Sequence, residues 1–133
     1  MSLSRFVLAA FVILLIAIAP ARADDCEDLH TAAFAGDLLE IEGLMWSGVD
    51  VDCRDETGAT PLMAAALGLQ PEAVSRLLDF GAWVNARDDE SGTALSYADE
   101  APFYWWLMGD ESDEVEWLAE EVVDILLQAG GEW

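Results

Sequence analysis

The sequence repeats itself with a period of 33 residues, and no other feature constrains the fold as tightly. The segment LHTAAFAGDLLEIEGLMWSGVDVDCRD, which starts at Leu29, aligns without a gap on LMAAALGLQPEAVSRLLDFGAWVNARD, which starts at Leu62. Leu29 falls on Leu62, Ala32 on Ala65, Ala33 on Ala66 and Ile41 on Val74. Leu44 and Met45 fall on Leu77 and Leu78, Gly48 on Gly81, Val51 on Val84 and Arg54 on Arg87. A third copy opens at SGTALSYA, with Leu95 placed 33 residues after Leu62. It closes at VDILLQAGG, where Leu126, Leu127 and Gly130 match Leu77, Leu78 and Gly81. A unit this small leaves one apolar face open, so its neighbours must stack on it to bury that face.

Local signals place two helices in each unit. Thr60 and Pro61 suit a helix start, the hydroxyl as a cap and the proline in the first turn. Ala64, Ala65 and Ala66 are small enough for two helices to pack closely, and Val74, Leu77 and Leu78 recur at helical spacing. Gly81 then reads as a left-handed stop. The stretches DCRDETG and NARDDESG are rich in turn formers and read as projecting loops.

The segment DETGATPLMAAALGLQPEAVSRLLDFGAWVNARD resembles the ankyrin repeat over its whole length. It carries Gly58, Thr60, Pro61, Leu62, Ala65, Ala66, Val74, Leu77, Leu78, Gly81, Ala82, Val84 and Asn85 at the family's positions. The resemblance runs from about Asp28 to Gly131. It implies an all-α solenoid of three helix-pair units with hairpin loops, at about residues 26–54, 55–87 and 88–133 of a domain over 24–133. It also implies protein binding, through loop tips and inner helices, rather than catalysis. Three departures stand out. The family's structural histidine survives only as His30, with Met63 and Ser96 in the later copies. Gly36 has no counterpart at Leu69, which predicts a differently made turn helped by Pro71. The first unit has no upstream hairpin.

The third unit is longer than the others. A glycine matching Gly81 is due at position 114 and comes at Gly130, so 16 extra residues lie inside the unit. They include the aromatic row Phe103, Tyr104, Trp105 and Trp106, in the stretch PFYWWLMGDESDEVEW. The second helix restarts with Asp113 as its cap and Glu116 three residues later. Val115, Leu118, Val122, Ile125, Leu126 and Ala129 form its apolar stripe. A terminal unit has one face without a neighbour. The expectation is that Phe103, Trp105, Trp106, Leu107 and Trp117 fold back and seal that face. The alternative is an exposed aromatic patch that grips a partner. Membrane contact is a third reading, disfavoured by the acidic flanks.

At the N-terminus, Arg5 precedes an apolar run from Phe6 to Ala19, and Ala21 and Ala23 occupy the small positions of a cleavage site. These are the parts of a secretory signal peptide over residues 1–23, and the run is shorter than the roughly 20 residues a membrane span needs. The residues before Cys26 do not suit lipidation. The remaining chain holds Arg54, Arg76 and Arg87 against 27 acids, a net charge of 3 − 27 = −24, and no lysine. Such a surface repels nucleic acid and anionic lipid, attracts basic proteins and resists self-association, so a monomer is expected. In an exported chain Cys26 and Cys53 read as a disulfide. Closing that 27-residue loop contributes roughly 3 kcal/mol.

No catalytic set has the spacing its chemistry needs. A Ser-His-Asp arrangement would have to use His30, and a cysteine nucleophile would compete with the disulfide. DVDCRDE lacks the glycine and the acid or asparagine of a calcium loop. One histidine and two cysteines fall short of a closed zinc set, so no metal and no cofactor are expected. Candidate binding residues are the loop-tip Asp52, Glu56, Trp83, Asp88, Asp89 and Glu90, with the aromatic row Phe103, Tyr104, Trp105 and Trp106. The leading function is an exported binding module for a basic protein, in a bacterial periplasm or outside the cell. The rivals are an accessory factor to a periplasmic redox or envelope-stress enzyme, and a structural scaffold without a fixed client.

Overall fold

The computed structural model describes residues 22–110 and 112–133, which hold six helices and no strand. They are α1 (Ala23–Ala35), α2 (Leu38–Ser47), α3 (Pro61–Leu67), α4 (Pro71–Asp79), α5 (Ala94–Leu107) and α6 (Asp113–Gln128). Each odd helix pairs with the even helix after it. The inner helices α1, α3 and α5 pack in series, as do the outer helices α2, α4 and α6. Nearly all of the expected signal peptide lies outside the described residues. None of the described helices is long and apolar enough to cross a membrane.

Small side chains make the seam between inner helices. Ala32 and Ala33 of α1, Ala65 and Ala66 of α3, and Ala98 of α5 are all buried. The tightest point follows α3, where a Cβ built on Gly68 would lie 2.2 Å from the Phe34 carbonyl oxygen. Larger apolar residues fill the space behind this seam. Leu29, Leu62 and Leu95 recur at the 33-residue period, and Ile41, Val74, Leu77, Val122 and Leu126 come from the outer helices. Each such fully buried side chain contributes roughly 1.5–3 kcal/mol.

The turns follow the repeat. Gly48, Gly81 and Gly130 have φ of 96°, 91° and 90°, and the amide after each bonds back to a leucine carbonyl of its helix. Within the units, Leu69 makes the same left-handed turn as Gly36, with φ 53° against 74°. The different turn expected there does not occur. A left-handed leucine costs roughly 1–2 kcal/mol. Burial of its side chain against Ala101, Val115 and Ala119 offsets this. Thr60 is the N-cap of α3 as expected, but it makes no side-chain cap bond. Its hydroxyl is buried without a hydrogen-bond partner, and its amide faces the Met63 sulfur at 3.3 Å. The equivalent Thr93 accepts from the Ser96 amide and donates to the Glu132 carbonyl.

The extra length of the third unit is helical. α5 has 14 residues against 7 in α3, and α6 has 16 against 9 in α4. The result is a helical hairpin with about two more turns on each limb than its counterpart. Ser112, not Asp113, is the N-cap of α6. Val115, Val122 and Leu126 are buried along its stripe, Leu118 and Ile125 are half-buried, and Ala119 joins the buried set. Ala129 is exposed beyond the helix end.

The seam makes a paired prediction. Gly68→Ala drives a methyl into the Phe34 carbonyl and lowers unfolding free energy by about 1–3 kcal/mol in urea denaturation. Gly43→Ala, in the exposed middle of α2 with nothing within 4 Å of the new Cβ, raises it by about 0.5–1 kcal/mol. A Gly68→Ala protein as stable as its parent contradicts the close-packed seam.

Candidate functional site

One aspartate ties each inter-unit loop to itself. Asp55 Oδ1 accepts from the amides of Thr57 and Ala59 at 2.8 and 3.0 Å and from the Thr57 hydroxyl at 2.7 Å. Asp88, 33 residues on, accepts from the amides of Glu90 and Gly92 at 3.0 and 2.7 Å. The Tyr97 hydroxyl donates to its other oxygen at 2.6 Å. Burial works to raise both carboxyls, but these hydrogen bonds outweigh it and hold each below the ordinary 3.8. The Tyr97 phenol moves the other way, pushed up by burial and by its bond to the Asp88 carboxylate.

The arginines tie one loop to the next. Arg54 donates to the Gly58 carbonyl at 2.7 Å and to the Arg87 carbonyl of the next loop at 2.6 Å. Arg87 donates to the Ser91 carbonyl at 2.8 Å and to the Trp133 backbone oxygen at 3.0 Å. Arg76 pairs with Glu42 at 2.8 Å, between α4 and α2, and this is the one ion pair among the described residues. All three arginines beyond residue 23 therefore serve the fold. The acids are left with almost no cationic partner of their own.

The sequence-predicted site residues separate into two groups. In the loops, Asp52 accepts the Trp83 amide at 3.0 Å, which fixes the Trp83 backbone while its side chain stays 60% exposed. Glu56, Asp89 and Glu90 are exposed in the loops, and the Asp89 amide donates to the Thr57 carbonyl. Asp55 and Asp88 are turned into their own loops. Trp46 is 82% exposed on the outer side, edge-on to Phe80. The aromatic row sits at the other end of α5, about 20 Å along the helix from the loops.

There the expected seal does not form. Phe103 and Trp106 stack on each other with ring centroids 6.0 Å apart, and stay 66% and 56% exposed. Leu107, Met108 and Trp117 are exposed as well. Only Trp105 turns inward, and it does so towards the earlier units rather than the open end. Its Nε1 donates to the Leu67 carbonyl at 2.9 Å, and its ring stacks on Phe34 and meets Tyr104 edge-on. The physical reason is helical phase. Phe103, Trp106 and Leu107 share one face and Trp105 lies on another. The exposed Asp99 and Glu100 stand one turn before Phe103 on α5, and the exposed Asp110, Asp113 and Glu116 adjoin Trp106. A notch of about 290 Å³ separates Pro102 and Trp106 from Asp110, Asp113 and Glu116. Hydrogen bonds from Ser112 hold the Asp110 carboxyl below its ordinary value.

Cys26 and Cys53 form a disulfide with Cα atoms 6.0 Å apart, joining α1 to the first loop. His30, one turn beyond Cys26, lies beside it. Its Nδ1 is 2.8 Å from the Cys26 carbonyl oxygen, and its Nε2 is 3.0 Å from the Ala59 carbonyl oxygen of the next unit. A cleft of about 800 Å³ opens here, lined by Glu27, Thr31, Arg54 and Glu56 among others. The disulfide and the structural role of His30 follow the sequence expectation; the approach of His30 to the Cys26 sulfur, 3.6 Å from its Nδ1, is what the sequence did not announce.

A family model described as Ankyrin repeats (3 copies) matches residues 29–132. Human Ankyrin repeat domain-containing protein 63 is 51% identical over 77 residues, covering 54% of this chain and 18% of that protein. Mouse Protein phosphatase 1 regulatory subunit 27 is 37% identical over 62 residues, covering 47% of this chain and 40% of that protein. The crystal structure of the human ASB11 ankyrin repeat domain is similar with a TM-score of 0.63 and 27% identity, over 78% of this chain and 40% of that one. The chain thus spans less than half the length of each.

Asp88 gives the pH prediction. A carboxyl held low by the fold contributes stability above its unfolded value, lost as pH falls through the folded value. The stability difference between the parent and Asp88→Asn should be constant above about pH 4.5 and shrink as pH falls below 3.8. Tyr97→Phe should move the Asp88 carboxyl resonance up in an NMR titration. An unchanged midpoint contradicts the role given to that bond.

Proposed function

The chain belongs to the ankyrin-repeat family, and from that premise we propose that it is an exported protein-binding module whose cationic partner docks on the acid-rimmed aromatic end of α5 and α6. Ankyrin repeats are protein–protein interaction modules, and the fold serves its family as a binding scaffold. The observation that carries this reading is the stacked Phe103–Trp106 pair. It is exposed and borders carboxylates, while Arg54, Arg76 and Arg87 are bonded elsewhere in the stack. Trp is among the residues that dominate hot spots, and its ring face also receives a cationic side chain. The carboxylate rim speeds encounter with a basic surface and suppresses acidic competitors.

Trp83 supports a second contact region in the loops. Its exposed ring stands on a backbone fixed by Asp52, and Glu56, Asp89 and Glu90 are exposed in the same set of loops. Export to a bacterial periplasm, or beyond the cell, is supported by the character of residues 1–23 and by the Cys26–Cys53 bridge. The charge of −24 after residue 23 supports a monomer that avoids nucleic acid and anionic membrane. The reading is of a binder and not a catalyst, since the loop aspartates serve their own turns.

Affinity capture from a periplasmic extract across a salt series tests the proposal. A partner richer in Lys and Arg than in acids should be retained at low salt and released as salt rises. Phe103→Ala with Trp106→Ala should weaken its binding more than tenfold, about 1.4 kcal/mol, with the melting temperature unchanged because both rings are exposed. Parental affinity in that double variant, with loss in Trp83→Ala, would move the site to the loops. Salt-independent capture would contradict a cationic partner.

A further inference from the structure

The geometry points to a second use for the first unit: with the disulfide reduced, Cys26, His30 and Cys53 form a three-ligand site for one Zn(II) ion. This inference is independent of the docking surface. Potential ligand atoms of the three residues lie within 4.8 Å of one another. Cys26 and His30 are one turn apart on α1, with Sγ 3.6 Å from Nδ1, so a single helix face presents a sulfur and a nitrogen together. Cys53 comes to the same point from the loop, with its Cα 6.0 Å from that of Cys26. Two thiolates and one imidazole suit zinc, as does a fourth position left to solvent.

The surroundings of His30 supply a second, separate argument. Both ring nitrogens face carbonyl oxygens, at 2.8 and 3.0 Å, and a neutral ring donates to only one of them. With Nε2–H donating to Ala59, the Nδ1 lone pair is left opposite the Cys26 carbonyl, acceptor against acceptor. Turning the ring away from that carbonyl aims the lone pair at a metal ion beside the Cys26 sulfur, which lies 3.6 Å from Nδ1. The remaining bond, ring N–H to a backbone carbonyl, is the outer contact that orients metal-bound histidines. Glu27 and Glu56 line the adjoining cleft and favour a cation, and a water completes the coordination. Arg54 also lines the cleft, but its guanidinium is bonded to two carbonyls.

The chemistry balances. A dithiol reductant gives two electrons and two protons to the Cys26–Cys53 bond, becomes its own disulfide, and leaves two thiols. Zn(II) then displaces both thiol protons to solvent, and the imidazole contributes its lone pair without change of charge. The disulfide and the metal site are therefore exclusive states of the same residues.

The test uses the full chain, reduced and separated from reductant under inert gas, and titrated with Co(II) and then Zn(II). The expected result is one Co(II) per chain with thiolate-to-metal charge transfer and tetrahedral d–d bands. Zn(II) should displace it, with protection of both thiols from alkylation. Cys26→Ser and Cys53→Ser should each weaken binding at least tenfold. His30→Gln should change the d–d spectrum as well as the affinity, which a merely structural histidine would not do. Circular dichroism confirms that each reduced variant is folded. Absence of charge transfer, equal binding by the oxidised chain, or a His30→Gln spectrum identical to the parent would overturn the proposal.

Discussion

The distance between successive inner helices is the constraint from which the rest of the structure follows. Alanines face one another along α1, α3 and α5, and Gly68 lets the end of α3 touch the Phe34 backbone. Unit spacing set this short brings groups 33 residues apart into bonding reach. Arg54 spans from its own loop to the Arg87 carbonyl because the two loops stand side by side. His30 reaches the Ala59 carbonyl, Asp52 the Trp83 amide and Cys53 the Cys26 sulfur for the same reason. One larger side chain in the seam would loosen each of these contacts together.

The last unit bends this plan to a different end. Its two longer helices make a small core of their own, with Leu69, Ala101, Val115 and Ala119 buried between them and the unit before. Trp105 braces this hairpin on Leu67 and Phe34 and uses its indole N–H in doing so. That inward attachment leaves the opposite face of α5 to Phe103 and Trp106. Arg54, Arg76 and Arg87 of the stack are already bonded to carbonyls or to Glu42, so none of these three is free to cover the acids around those rings.

Most of the fold was legible because the repeat writes each buried position at least twice. Leu29, Leu62 and Leu95 identify one another, and so do Gly48, Gly81 and Gly130. Where the period breaks, sequence reasoning faltered. Leu69 hid a left-handed turn that a glycine would have announced, since its burial against the third unit cannot be seen locally. The aromatic row read as a seal because it falls in the 16 extra residues of a terminal unit whose end face invites covering. Its i, i+3 spacing, Phe103 to Trp106, already spoke for a helix with one ring turned in and two turned out. The carboxylates at the loop tips were equally hard to sort. Asp55 and Glu56 are neighbours in sequence, yet one fastens its own loop and the other faces solvent. The gathering of Cys26, His30 and Cys53 depends on seam distance and could not be read from spacing alone.

Arg54, Arg76 and Arg87 are consumed by the fold, and the proposed basic partner meets the α5–α6 end. Site-specific photocrosslinking in the exporting cell tests it most directly, with the reactive residue placed at position 106 in one protein and at position 46 in another. Both tryptophans are exposed, but Trp46 lies on the outer side of the first unit and far from the acid-rimmed pair. The predicted result is a discrete adduct from position 106 to a protein richer in Lys and Arg than in acids, and none from position 46. A discrete adduct from position 46 with none from position 106 would contradict it.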